Sequence, residues 1–103
     1  GVSEMARPYL NYVARAMRYY ARYKDIQESP TSPADILNWE CCEATLSDFE
    51  DQEQRIILDL YRERDTFPDN VYQASMKYRM PQDSIWKLNT SFMEKFAERR
   101  GLI

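Results

Sequence analysis

Apolar side chains return every three or four residues along most of this chain, which is the period of a helix face. Met5, Tyr9, Val13, Met17 and Tyr20 form one such stripe, and no helix breaker follows Pro8, so one long amphipathic helix is expected over residues 5–28. Arg15, Arg18 and Arg22 draw a second, basic line along it. The run Ser29-Pro30-Thr31-Ser32-Pro33 breaks the pattern, because each proline disfavours helix in the residue before it. Ser32 followed by Pro33 then reads as a helix cap with proline in the first turn. The helix it opens should run to about Ala44, with Ile36, Leu37, Trp39 and Cys41 as its apolar surface.

Ser47-Asp48-Phe49-Glu50 has the spacing of a capping box, which predicts a third helix with Ile56, Ile57, Leu60 and Tyr61 buried. It should fade near Asp65, ahead of Phe67-Pro68. Asp69 or Asn70 can cap a short fourth helix through Tyr78, Pro81 interrupts again, and a last helix over 82–100 is stopped by Gly101. The expected fold is therefore all-α, with about five helices, a long N-terminal helix and a C-terminal helix-turn-helix at 70–100. Ile56, Leu60, Ala74, Ile85, Leu88 and Phe92 should share one core.

With 103 residues, two cores would each be undersized, so residues 1–103 are expected to form a single domain. It divides into the amphipathic helix 1–28, the Pro/Ser break 29–33 and a helical core 34–103. The only glycines, Gly1 and Gly101, lie at the ends, which leaves the interior without the joints that hairpins and phosphate-cradling loops need. No apolar run approaches the roughly 20 residues of a membrane span, so no membrane partner is expected. Nothing at the start resembles a secretory signal, although Gly1 without a preceding Met fits a cleavage scar, and a chain near full length is expected. Cys41 and Cys42 are adjacent and poorly placed to bridge each other, and free thiols point to the cytoplasm.

Charge is unevenly spread. Residues 1–28 carry five basic and three acidic side chains, 29–54 none and seven, and 55–103 nine and seven. The net charge of −3 thus hides an acidic middle between two mildly basic ends, and alone it neither supports nor excludes a phosphate partner.

Ala74, Tyr78, Met80, Ile85 and Leu88 carry the strongest functional signal. Their spacings of four, two, five and three fit two helices sharing a core around a tight turn, with Ser75 small enough for close approach and Pro81 ending the first helix. From 49 to 102 the chain resembles the last DNA-binding region of bacterial sigma factors and related small regulators, including phage regulators of the ArpU and RinA kind. The resemblance rests on the Gln54-Arg55-Ile56-Ile57-Leu58-Asp59-Leu60-Tyr61 helix, Ala74-Ser75, the Met80-Pro81 turn, and Ile85 and Leu88. Arg79 stands where that family often has glycine, and Asp83 stands among positions that usually face DNA.

The resemblance implies a DNA-binding transcription regulator whose last helix enters the major groove. Gln82, Trp86, Lys87 and Thr90 would face DNA, while Lys77 and Arg79 would contact phosphate and set position. On the plainer reading Trp86 is core, Lys87 a solvated charge, and the chain a helical protein-interaction adaptor whose acidic segment 35–53 meets a basic partner. Tyr9, Tyr12, Tyr19, Tyr20 and Tyr23, interleaved with arginines, could stack on bases, pack on their own domain or form a homodimer surface, and the last is preferred.

Enzymatic chemistry has little to build on. The chain has no histidine, which removes the usual general base and the commonest zinc ligand. Cys41-Cys42 lacks the spacing of a metal or redox pair and reads as two helical thiols with one or both facing the core. Glu50, Asp51 and Glu53 read as a solvated first turn rather than an acid pair. No catalytic residue, metal or cofactor is expected.

Overall fold

The computed structural model describes residues 9–26 and 30–103. They form α1 (Tyr9–Tyr23), a short 3-10 turn (Lys24–Ile26), α2 (Pro33–Leu46), α3 (Asp51–Arg62), α4 (Phe67–Tyr78) and α5 (Gln82–Arg100), with no strand among the described residues. The fold is all-α, as the periodicity predicts. Met5 and Pro8 lie outside the described residues. The α-helical part of the first helix stops at Tyr23, short of the expected end near 28.

A single apolar cluster draws on all five helices, and α5 packs against each of the other four. Val13, Ile57, Val71, Ile85, Phe92 and Phe96 at its centre are fully buried. Ile56, Leu60, Ala74, Ile85, Leu88 and Phe92 all belong to this cluster, as expected. Polar groups buried beside it are paired by side-chain hydrogen bonds, except the Asn70 Oδ1, which has no partner among the described residues. The Tyr61 hydroxyl donates to Asn89 Oδ1, and the Asn70 amide donates to the carbonyls of Leu60, Glu63 and Asp65 at 3.0, 3.3 and 3.4 Å. Asn70 thereby ties down the Leu60 and Glu63 carbonyls that α3 leaves open at its C-terminal end, and joins them to the loop at Asp65.

The N-terminal signals of three helices sort by how their hydroxyls are used. Ser32 caps α2 as expected, its Oγ accepting from the Asp35 N–H at 3.2 Å. Ser47 does not open α3. It closes α2, its N–H donating to the Glu43 carbonyl and its Oγ to the Ala44 carbonyl at 2.6 Å. Its side chain is therefore already occupied, and α3 begins three residues later, with Glu50 as cap and the Glu50 N–H donating to Glu53 Oε1 at 3.0 Å.

The fourth helix also starts earlier than expected. Thr66 is its cap, accepting from the Asp69 N–H, and Phe67-Pro68 is its first turn rather than a break. Proline is at home there because a first-turn N–H has no helical acceptor to lose. Neither Asp69 nor Asn70 caps it.

The apolar surface expected on α2 divides between solvent and core, with Ile36 and Leu37 on the solvent side. They are exposed, and α2 buries Cys41, Cys42, Thr45 and Leu46. The side of its first two turns that faces α1 is lined by Ala34, Asp35, Asn38 and Trp39, which leaves Ile36 and Leu37 turned outward.

Candidate nucleic-acid interface

α4 and α5 meet through the three residues Arg79, Met80 and Pro81. Arg79 has φ 55° and ψ 48°, the left-handed conformation that lets a helix end sharply, and it is the one non-glycine residue with positive φ among those described. The Ser75 carbonyl accepts from both the Arg79 and the Met80 N–H groups, the latter at 3.0 Å, so the turn closes on hydrogen bonds. A side chain in this conformation costs roughly 1–2 kcal/mol relative to glycine, which accounts for the usual preference at such a turn. Met80 packs against the core behind it.

Pro81 then serves as the cap of α5, its carbonyl accepting from the Ser84 and Ile85 N–H groups at 3.1 and 3.4 Å. Asp83 falls in the first turn, where a carboxylate complements the positive end of the helix dipole. Helix stability is thus a sufficient reason for a carboxylate at this position.

The register of α5 separates two faces. Ile85, Leu88, Asn89, Phe92, Met93, Phe96 and Ala97 turn inward, while Gln82, Asp83, Trp86, Lys87 and Thr90 are exposed. Trp86 is 39% exposed and rests on the Phe67 ring with centroids 5.4 Å apart, so it lies at the seam of α4 and α5 rather than in the core. All four side chains expected to face DNA therefore reach solvent from one face of one helix.

The two expected phosphate contacts differ. Arg79 is exposed at the turn, whereas Lys77 already has a partner: its Nζ lies 2.9 Å from Asp59 Oδ2, which also accepts from the Tyr78 hydroxyl. The hydrogen bond and charge of Asp59 hold the Lys77 pKa above the usual lysine value. Burial, then the same carboxylate, raise the Tyr78 phenol.

Tyr72 and Met76 were not among the expected site residues. They are 49% and 64% exposed, one turn apart on the outer face of α4. Their four-residue spacing, offset from the buried Asn70, Val71 and Ala74, is the sequence signal that marks them.

The tyrosines of α1 are only in part available to a partner. Tyr9 and Tyr20 are buried in the core, and Tyr20 packs on Trp39 at 4.8 Å between centroids. Tyr12 and Tyr19 are exposed and Tyr23 is half-buried. A surface using all five is ruled out because Tyr9 and Tyr20 are buried in the core. Both cysteines are buried free thiols. Burial pushes Cys42 well above the ordinary thiol value, and Cys41 rises for the same reason despite its contact with Thr45.

Among the described residues no group of acidic, histidine or cysteine side chains could hold a metal ion, and no helix is long and apolar enough to cross a membrane. Compared with known proteins, no family model matches the chain, and no curated protein or solved structure does.

Proposed function

We propose that this chain is a DNA-binding transcription regulator of bacterial or phage origin, similar to the last DNA-binding region of sigma factors. One observation carries the reading. Behind a tight left-handed turn, α5 presents Gln82, Trp86, Lys87 and Thr90 together on its exposed N-terminal half, while its opposite side is locked into the core. In a major groove Gln82 would pair with adenine edges, Lys87 with guanine or phosphate, Thr90 with base or backbone, and Arg79 with phosphate. Trp86 offers an apolar surface toward a thymine methyl. Lys77 is a weaker phosphate candidate, since a contact there competes with Asp59.

Asp83 and the acidic net charge oppose phosphate, so the affinity should be modest, with a salt slope set by the few phosphate contacts that Arg79 and Lys87 can make. The test is fluorescence anisotropy with labelled duplex DNA at about 50 and about 200 mM salt. Binding that falls with salt supports the reading, and no binding at the lower salt rejects it.

A second reading is a helical adaptor with no DNA binding. It is favoured by the exposed Tyr72 and Met76, which have no role at phosphate and give α4 an apolar outer surface. The same titration separates the two.

A further inference from the structure

We propose that α1 and α2 form a self-complementary face on which a second copy of this chain docks about a two-fold axis. The face is built around an open groove of about 330 Å³ between the two helices, lined by Tyr12, Arg15, Tyr19, Asp35, Asn38 and Trp39 among others. Tyr12 and Tyr19 are exposed along it, and Ile36 and Leu37 extend its apolar surface onto the outer side of α2. Trp39 is held against Tyr19 and Tyr20 at 5.9 and 4.8 Å between centroids, so the groove floor is fixed before any partner arrives. Its rim is fixed too, with Arg100 Nε donating to Asn38 Oδ1 at 2.8 Å and its terminal nitrogen reaching the Tyr12 hydroxyl at 3.2 Å.

Charge decides the occupant. Arg15 and Arg22 are two turns apart on the exposed side of α1 and carry no ion pair among the described residues. Glu40 and Glu43 stand exposed on α2, within a segment from 30 to 54 that contains no basic residue at all. One helix of the face is therefore positive and its neighbour negative. A uniformly basic or acidic partner would meet repulsion from one helix for every attraction to the other. A copy of the same face, rotated by two-fold symmetry, sets the arginines of each α1 opposite the glutamates of the other α2, twice over. The aromatic and aliphatic side chains between them are then covered together, with Tyr and Arg in the proportions that interfaces favour.

This proposal is independent of DNA binding, because it uses neither α4 nor the N-terminal half of α5. It narrows the tyrosine surface expected from sequence to Tyr12 and Tyr19 and adds Trp39, Ile36, Leu37, Glu40 and Glu43.

The experiment is sedimentation velocity of the full chain over a micromolar to near-millimolar concentration series, without DNA. The parent chain should shift from monomer to dimer. The double variants Arg15→Glu/Arg22→Glu and Glu40→Arg/Glu43→Arg should each associate at least about tenfold more weakly, since each sets like charges opposite one another at the reversed positions. Mixed in equal amounts, the two variants should form a heterodimer, because every reversed position then meets its opposite. Circular dichroism of each variant confirms that the exposed substitutions leave the helices intact. A monomeric parent throughout the series, or well-folded variants whose mixture stays monomeric, would overturn the proposal.

Discussion

The α4–α5 pair and the α1–α2 pair solve the same packing problem differently. α4 and α5 join through three residues and close on Val71, Ala74, Ile85 and Leu88, so that everything pointing outward is clearly separated from everything pointing inward. α1 and α2 instead meet across an open groove in which Tyr12, Tyr19 and Trp39 stay partly exposed. A tight turn fixes where the neighbouring helix lies, and the outward face follows from residue spacing. A longer connection leaves that direction free, and spacing then identifies a stripe without saying what covers it.

Alkaline titration should disturb the two pairs unequally, and it carries the largest expected effect. Burial holds Cys41, Cys42 and Tyr61 above their ordinary values and pushes Tyr20 up to about 12. Each is buried in its uncharged form, so stability is complete below the ordinary thiol and phenol values of 9.0 and 10.0 and is lost as the pH climbs past them toward 12. Three of the four lie on α1 and α2. Unfolding by circular dichroism between about pH 9 and 12 should therefore begin on that side, with thiols becoming reactive before the α4–α5 turn opens. Thiols that react freely at neutral pH in the folded protein would contradict the burial.

Truncations sharpen the contrast. Phe92→Ala empties the centre of the core and should cost about 3–5 kcal/mol in denaturant unfolding. Leu37→Ala, on the exposed outer side of α2, should change stability by less than about 0.5 kcal/mol. A comparable loss at both positions would mean that the first half of α2 is buried after all.

Asn70→Ala should cost about 1–3 kcal/mol, because it strips a buried donor from the carbonyls of Leu60, Glu63 and Asp65 at once. At the turn, Arg79→Gly should raise stability by roughly 0.5–1 kcal/mol, the relief of left-handed strain less the added freedom of the unfolded chain. If Arg79→Gly instead destabilises, the arginine side chain must hold the turn in a way its hydrogen bonds do not show.

Much of this fold was legible in the sequence because its strongest signals are local. The bounds of α5, the Ser32 cap and the common core of Ile56, Leu60, Ala74, Ile85, Leu88 and Phe92 follow from spacing, proline and glycine alone. The start of α3 was misplaced because Ser47 offers the same hydroxyl to the helix it ends as to the one it could begin. Thr66 was missed because proline can end a helix or open one, and the choice depends on which residue caps the turn. Hydrophobicity marks Ile36 and Leu37 as apolar surface without saying which way they face, because it does not record that α1 approaches α2 on its Asp35, Asn38 and Trp39 side. The exposed set Gln82, Trp86, Lys87 and Thr90 was legible as one face, whereas the Asp59 partner of Lys77, 18 positions away, had no local signature.

The claim that α5 reads duplex DNA is tested most directly by two substitutions of opposite sign on that one face. Binding is measured by anisotropy for the parent, Lys87→Ala and Asp83→Asn across a salt series. Lys87→Ala should weaken binding and, where it contacts phosphate, lower the salt slope by about one unit. Asp83→Asn should strengthen binding by removing a like charge from the phosphates, even as it gives up a favourable charge at the start of α5. Loss of folding cannot produce both results. Three proteins that bind identically, without salt dependence, or not at all would contradict the account and leave the adaptor reading in its place.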